Sequence, residues 1–104
     1  MLNKKYRLPR FCFKKVLIKG FKKQTESFAV RYLKNYQQHC RFGVIISTKV
    51  IKKATRRNLA RRRIYEIIRT NLSHCRQSWD FVFILKKEAN FGKIEEEIKG
   101  VLSA

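Results

Sequence analysis

Between Lys49 and Arg69 the chain reads KVIKKATRRNLARRRIYEIIR, a stretch that admits few folds. Its apolar residues Ala60, Ile64, Ile67, Ile68 and then Leu72 recur at three- and four-residue steps, the period of one buried helical face. Its other positions are crowded with Lys49, Lys52, Lys53, Arg56, Arg57, Arg61, Arg62, Arg63 and Arg69, against a single acid, Glu66. Like charges gathered on one segment repel one another and loosen a compact chain unless a polyanion compensates them. The stretch therefore predicts a helix with one face in a core and a cationic face held toward something negative. Thr55 is placed to cap it, and it should run to about Leu72.

The rest of the chain supports a core for this helix to join. At 104 residues it suits one domain, and 44% hydrophobic content argues against disorder. The net charge of +19 is uneven, because residues 88–104 hold four of the seven acids. The basic body is thus the expected binding surface, and the last segment should face away from it. Such a balance fits a nucleic acid or an anionic membrane. Apolar runs such as Phe81–Leu85 are far shorter than the roughly 20 residues that span a bilayer. The basic start, MLNKKYRLPR, is followed by no long apolar run of a secretory signal. Three widely spaced cysteines, Cys12, Cys40 and Cys75, predict reduced thiols and a cytoplasmic setting.

Read in order, residues 1–8 are basic and predicted to be mobile. Pro9 suits a helix start, Phe13, Val16 and Leu17 make one apolar stripe, and Gly20 can end the helix in a left-handed cap. After the polar stretch KKQTES, Phe28, Val30 and Tyr32 alternate as in a strand, and Phe42–Ser47 reads as a second strand that could pair antiparallel with the first. Residues 34–41 and 71–78 read as connections. Asp80–Leu85 fits a strand covered on both faces. Asn90 can cap a final helix carrying Phe91, Ile94, Ile98, Val101 and Leu102 on one face. The expectation is a small single-domain α/β (α+β) two-layer sandwich, in the order α, β, an optional further β, β, α, β, α.

Taking 100° per residue, Asn58, Arg62, Tyr65 and Arg69 fall within about 60° of one another beside the core face, with Arg61 at the border. Guanidinium groups suit phosphate, and Asn and Tyr add hydrogen bonding or stacking. Glu66, four residues beyond Arg62, is the one acid placed to neutralise it. Phe11, Phe13, Phe21, Phe28, Tyr32, Tyr36 and Phe42 are interleaved with cations, a pattern that suits single-stranded nucleic acid. The His39-Cys40 and His74-Cys75 pairs match no standard zinc spacing. The acids Glu26, Glu66, Asp80, Glu88 and Glu95–Glu97 form no evident cluster for a two-metal site. Catalytic groups in this chain are therefore not expected.

From Arg57-Asn58-Leu59-Ala60-Arg61-Arg62 to Tyr65-Glu66, the sequence resembles the bacterial ribonuclease P protein family. That family's signature is Arg-Asn-Arg, an apolar residue, Lys/Arg-Arg and a downstream Arg-Glu. The resemblance extends to Arg7-Leu8, Phe13, Val16 and Gly20, to Arg41-Phe42-Gly43-Val44 and Ser47-Thr48-Lys49, and to Asp80-Phe81-Val82 with Lys86-Lys87. Leu59 replaces a signature Arg, and Tyr65 stands where an Arg is common. The resemblance implies a left-handed βαβ crossover containing the signature helix, against the usual right-handed rule. It also implies a subunit that helps a catalytic RNA remove the 5′ leader of precursor tRNA. Lys49, Lys53, Arg56, Arg57, Asn58, Arg61, Arg62, Tyr65 and Arg69 would meet the catalytic RNA. Phe13, Val16, Leu17 and Arg31 would line a cleft for the leader, and Mg2+ would be held mainly by the RNA. No membrane and no obligate protein partner is implied. The rival readings are a ribosomal protein or general RNA chaperone, and a stand-alone nuclease.

Overall fold

In the computed structural model, which describes residues 2–75 and 78–103, a four-stranded mixed sheet is packed between helices. The helices are α1 (Arg10–Lys19), α2 (Ala54–Thr70) and α3 (Phe91–Ser103), and the strands are β1 (Phe21–Gln24), β2 (Phe28–Lys34), β3 (Arg41–Ile45) and β4 (Trp79–Leu85). The strand order is β1-β2-β4-β3. β4 runs antiparallel to β2 and parallel to β3, so α2 is the crossover of a βαβ unit. The expected β2–β3 pair does not form. β4 is buried at nearly every position, and it takes the centre because only a strand flanked by two others can cover both rows of an apolar run. β1 lies in the stretch read as polar. Its Lys22, Lys23 and Gln24 suit an edge strand, where one face and one edge meet water.

Alternation along the strands divides the core. Phe28, Val30, Phe42, Val44, Phe81, Phe83 and Leu85 face α2 and α3, where Ile64, Ile68, Ile94, Ile98, Val101 and Leu102 bury their side chains. The opposite face is partly covered by α1, through Val16 on Val82 with Phe13, Leu17, Leu33, Ile45 and Ile84 around them. The apolar periods of all three helices thus fall where the sequence placed them.

Four local expectations are corrected. Gly20 ends α1 with φ −72°, not in the left-handed region. Space explains the glycine instead, since a Cβ there would lie 2.4 Å from the Val16 carbonyl oxygen and 3.0 Å from that of Tyr32. Thr55 lies inside α2, whose N-cap is Lys53 without a side-chain cap. Residues 2–8 are packed rather than mobile. Leu2 and Leu8 are buried, Lys4–Tyr6 form a 3-10 turn, and the Leu8 N–H donates to the Phe42 carbonyl at 2.8 Å, closing the outer edge of β3. Finally, Cys40 and Cys75 form a disulfide across a separation of 35 residues, and Cys12 is the free thiol. The two connections that carry them read as unrelated loops in sequence but lie side by side in the fold. Of the second connection, Arg76 and Gln77 lie outside the described residues.

α3 is capped as expected, with the Lys93 N–H donating to Asn90 Oδ1 at 2.8 Å. It also holds the β1–β2 turn, because Glu97 Oε1 accepts from the Ser27 N–H at 2.7 Å. Burial pushes the Glu97 pKa up, but bonds from Thr25 and Ser27 and the charge of Lys93 outweigh it and hold the group below its ordinary range. A depressed carboxyl pKa contributes stability above the unfolded value, near 4.3, that is lost as pH falls through the folded value. Urea midpoints should therefore fall more steeply below about pH 4.5 in wild type than in Glu97→Gln. Parallel pH profiles would remove Glu97 from this role.

Candidate nucleic-acid interface

α2 meets the core through Ile64 and Ile68 and turns a row of cations outward. Asn58, Arg62 and Arg69 are exposed as their angular positions predict, and Arg61 is at the border. Glu66 does not neutralise Arg62. Its carboxylate accepts from Nε of Arg69 at 2.9 Å, and that bond holds the Glu66 pKa down to about 2 while raising that of Arg69. Arg62 is left without an ion-pair partner among the described residues. Arg61 Nη1 donates to Asn58 Oδ1 at 3.0 Å, which holds two signature side chains together on the surface.

The other signature residues carry structural duties as well. Arg57 Nη1 donates to the carbonyls of Ile51 (3.0 Å) and Lys52 (2.7 Å), fastening the approach to α2. Arg56 reaches Glu88 at 3.2 Å in an exposed pair, which is worth little in water. Lys49 and Lys53 are exposed. Tyr65 is half-buried against the core rather than standing on the open stripe. Burial raises its hydroxyl pKa, while a backbone hydrogen bond at Val44 and the charges of Arg61 and Arg7 oppose the rise. Tyr65 thus links α2 to β3 and to the N-terminal segment, whose Arg7 enlarges the basic surface. Sequence reasoning missed Arg7 as a surface partner, because only the ordered edge of β3 brings it beside the helix.

On the reverse face, Phe13 lies against Gly43, where an added Cβ would fall 2.3 Å from the ring. The glycine lets the ring lie on the sheet half-exposed. Leu17 is half-buried beside it, and Arg31 Nη1 donates to the Leu17 carbonyl at 3.0 Å, tying the end of α1 to β2. Val16, by contrast, is 1% exposed. It shapes the floor beneath this surface and is not available to touch a ligand. Behind Phe13, Asp80 accepts from Arg41 Nε (2.9 Å) and Nη2 (2.8 Å) and from Asn35 Nδ2 (2.7 Å). The bond to Asp80 raises the Arg41 pKa.

β3 therefore lies between two surfaces, the cations of α2 on one face and the Phe13 region on the other. Among the described residues no three His, Cys, Asp or Glu side chains are grouped to hold a metal. Asp80 and Glu97 are engaged in internal bonds, and Glu26 pairs with Lys87 and Lys93. The described acids therefore gather into no donor set that fits magnesium. No described helix is long and apolar enough to cross a membrane.

Compared with known proteins, the chain matches the family Ribonuclease P over residues 2–104. It is 36% identical over 89 residues to the ribonuclease P protein component of Petrotoga mobilis, covering 86% of this chain and 70% of the relative. It is 30% identical over 105 residues to that of a Picosynechococcus strain, covering 97% and 90%. Among solved structures it resembles the RNase P protein of Thermotoga maritima, with a TM-score of 0.83 and 30% identity across 93% of this chain and 94% of that one.

Proposed function

The chain belongs to the ribonuclease P protein family, and from that premise we propose that it binds the catalytic RNA of ribonuclease P and the 5′ leader of precursor tRNA. In this reading it assists endonucleolytic removal of the leader, and the hydrolytic groups and Mg2+ belong to the RNA. The observation that carries the reading is the basic face of α2, where Glu66 is drawn to Arg69 and Arg62 stays uncompensated. Arg57, Asn58, Arg61 and Arg62, with Lys49, Lys53, Arg56, Arg69 and the edge of Tyr65, contact phosphates of the catalytic RNA. Phe13, Leu17 and Arg31 offer a stacking ring, an apolar wall and a cation to the unpaired leader, with Val16 beneath them. The two surfaces flank one strand, so a single rigid sheet holds both RNAs in fixed relation. A cytoplasmic setting follows, and there the Cys40–Cys75 pair is open to reduction.

The test is reconstitution with a bacterial ribonuclease P RNA and a labelled precursor tRNA at low magnesium. The protein should stimulate cleavage at the leader junction, and no stimulation would sink the proposal. Binding without stimulation is the signature of a chaperone, and cleavage without the RNA subunit that of a protein nuclease. Arg62→Ala should weaken assembly with the catalytic RNA by about 1–3 kcal/mol and leave the thermal midpoint unchanged. Equal assembly would remove Arg62 from the site. Phe13→Ala should weaken binding of leader-bearing precursor more than of mature tRNA, by about 1–3 kcal/mol for one lost stack. A uniform loss together with unfolding would make Phe13 a core residue only.

A further inference from the structure

A cavity lies on neither of these surfaces. It measures about 680 Å³ and opens at the β1 edge of the sheet, on the face that α2 and α3 cover elsewhere. That size falls in the roughly 300–1,000 Å³ range of small-molecule sites. Its floor has an unusual origin. Phe21, Tyr32, Phe81 and Phe42 are successive cross-strand partners on β1, β2, β4 and β3, so one aromatic row crosses the whole sheet. Phe42 and Phe81, at the far end, stack under the helices and are buried. At the near end Tyr32 is half-buried and Phe21 is 61% exposed. Tyr32 lies 5.6 Å from the Phe21 ring and 5.3 Å from Trp79, which stands edge-on.

We propose that this cavity binds one nucleotide, its base on the Phe21–Tyr32 rings and its phosphate at Lys23. A row of aromatics on an open sheet is a stacking platform for single-stranded RNA. Lys23 faces the cavity from the same side of β1 as Phe21, two residues or about 7 Å along the strand. That spacing suits a phosphate attached to a stacked nucleoside. The opposite wall is the C-terminal end of α3, at Val101, Leu102 and Ser103. Helix C-termini repel anions and offer carbonyl acceptors. They therefore direct the phosphate toward Lys23 and turn sugar hydroxyls or base amines toward α3. His74 stands at the same rim. The nucleotide is either free or an unpaired residue of an RNA chain, and the proposal rests on the RNA-binding reading only for the second source.

The chain's one tryptophan, Trp79, reports on the site directly. Fluorescence of the full-length protein should be titrated with AMP, with a tetranucleotide RNA and with inorganic tripolyphosphate. Saturable quenching is expected from AMP or the tetranucleotide and none from tripolyphosphate. Equal affinity for AMP and tetranucleotide identifies a free nucleotide as the ligand, and tighter binding of the tetranucleotide an RNA chain. Phe21→Ala, at an exposed position, should leave the circular dichroism unchanged and weaken quenching at least about fivefold, the lower end for losing one base–aromatic stack. Lys23→Ala should weaken AMP more than adenosine. Absence of quenching by both nucleotides, equal quenching by tripolyphosphate, or unchanged affinity in folded Phe21→Ala would each overturn the proposal. No readout contains the catalytic RNA, so failure here leaves the cleavage reading intact, and failed stimulation of cleavage leaves this site standing.

Discussion

Raising monovalent salt from about 50 to about 200 mM should lower the affinity of this protein for ribonuclease P RNA by about 10³–10⁵-fold. The reason is the number of cations on α2 and its approaches that no acid of the chain neutralises. Among the described residues Lys49, Lys52, Lys53, Arg61 and Arg62 pair with no acidic side chain, whereas Arg56 and Arg69 are held only by exposed pairs that RNA phosphates can replace. If roughly six phosphates are engaged, as many condensed counterions are released, and the log–log salt slope is several units. Filter binding or fluorescence anisotropy across the salt series gives that slope. Arg62→Ala should make it shallower by about 1. A wild-type slope near zero would mean that binding is not carried by phosphate neutralisation, and the α2 face would lose its assigned role.

Asp80→Ala should lower folding stability by about 3–5 kcal/mol, the range for breaking a buried ion pair on one side. The carboxylate is 8% exposed and accepts both forks of Arg41, which is itself 16% exposed, together with the Asn35 amide. Removing it strips the Arg41 guanidinium of its carboxylate and leaves the Asn35 amide only the His39 carbonyl as acceptor. Arg41 also leans toward Cys12 Sγ at 3.9 Å, so the loss should loosen α1 and with it Phe13. The double variant with Arg41→Ala should be less damaged than the two single effects predict, because no orphaned charge remains. Urea unfolding of the three variants decides this. A single-variant loss below about 1 kcal/mol would place the pair with ordinary surface bridges.

Much of the architecture was legible because apolar periods are local. Ile64 and Ile68 on α2, the Phe81–Leu85 run and the Ile94, Ile98, Val101 stripe all reach the core as their spacing requires. What escaped was decided by neighbours distant in sequence. The order of β2, β4 and β3 depends on which strand has two apolar rows to cover, and no single strand states that. β1 was hidden because Lys22, Lys23 and Gln24 carry the composition of a loop while pairing as an edge. The Cys40–Cys75 bond joins two connections that only the tertiary fold makes adjacent. At the site, Arg62 and Asn58 followed from helical geometry, whereas the choice of Glu66 between Arg62 and Arg69 rested on side-chain placement within one turn. Val16 fell inside the floor because its stripe neighbours, not the residue itself, determine which edge of α1 is open.

The central position of β4 also sets a timetable. It is the last strand to be synthesised, yet β3 has no other strand beside it and β2 has only β1. While residues 79–85 are still unmade, the nascent chain has a β1–β2 hairpin, a β3 with no strand beside it, and a finished basic helix with little core to rest on. The β3–β4 pairing and the Arg41–Asp80 link then close across 39 residues, and closures of that length slow folding. Ribosomes add roughly 5–20 residues per second, so for about one to three seconds the complete α2 exists before the scaffold that orients its cations. Assembly with RNA in the right geometry must wait for the final strand to enter the sheet, which makes β4 the latch of the molecule's maturation.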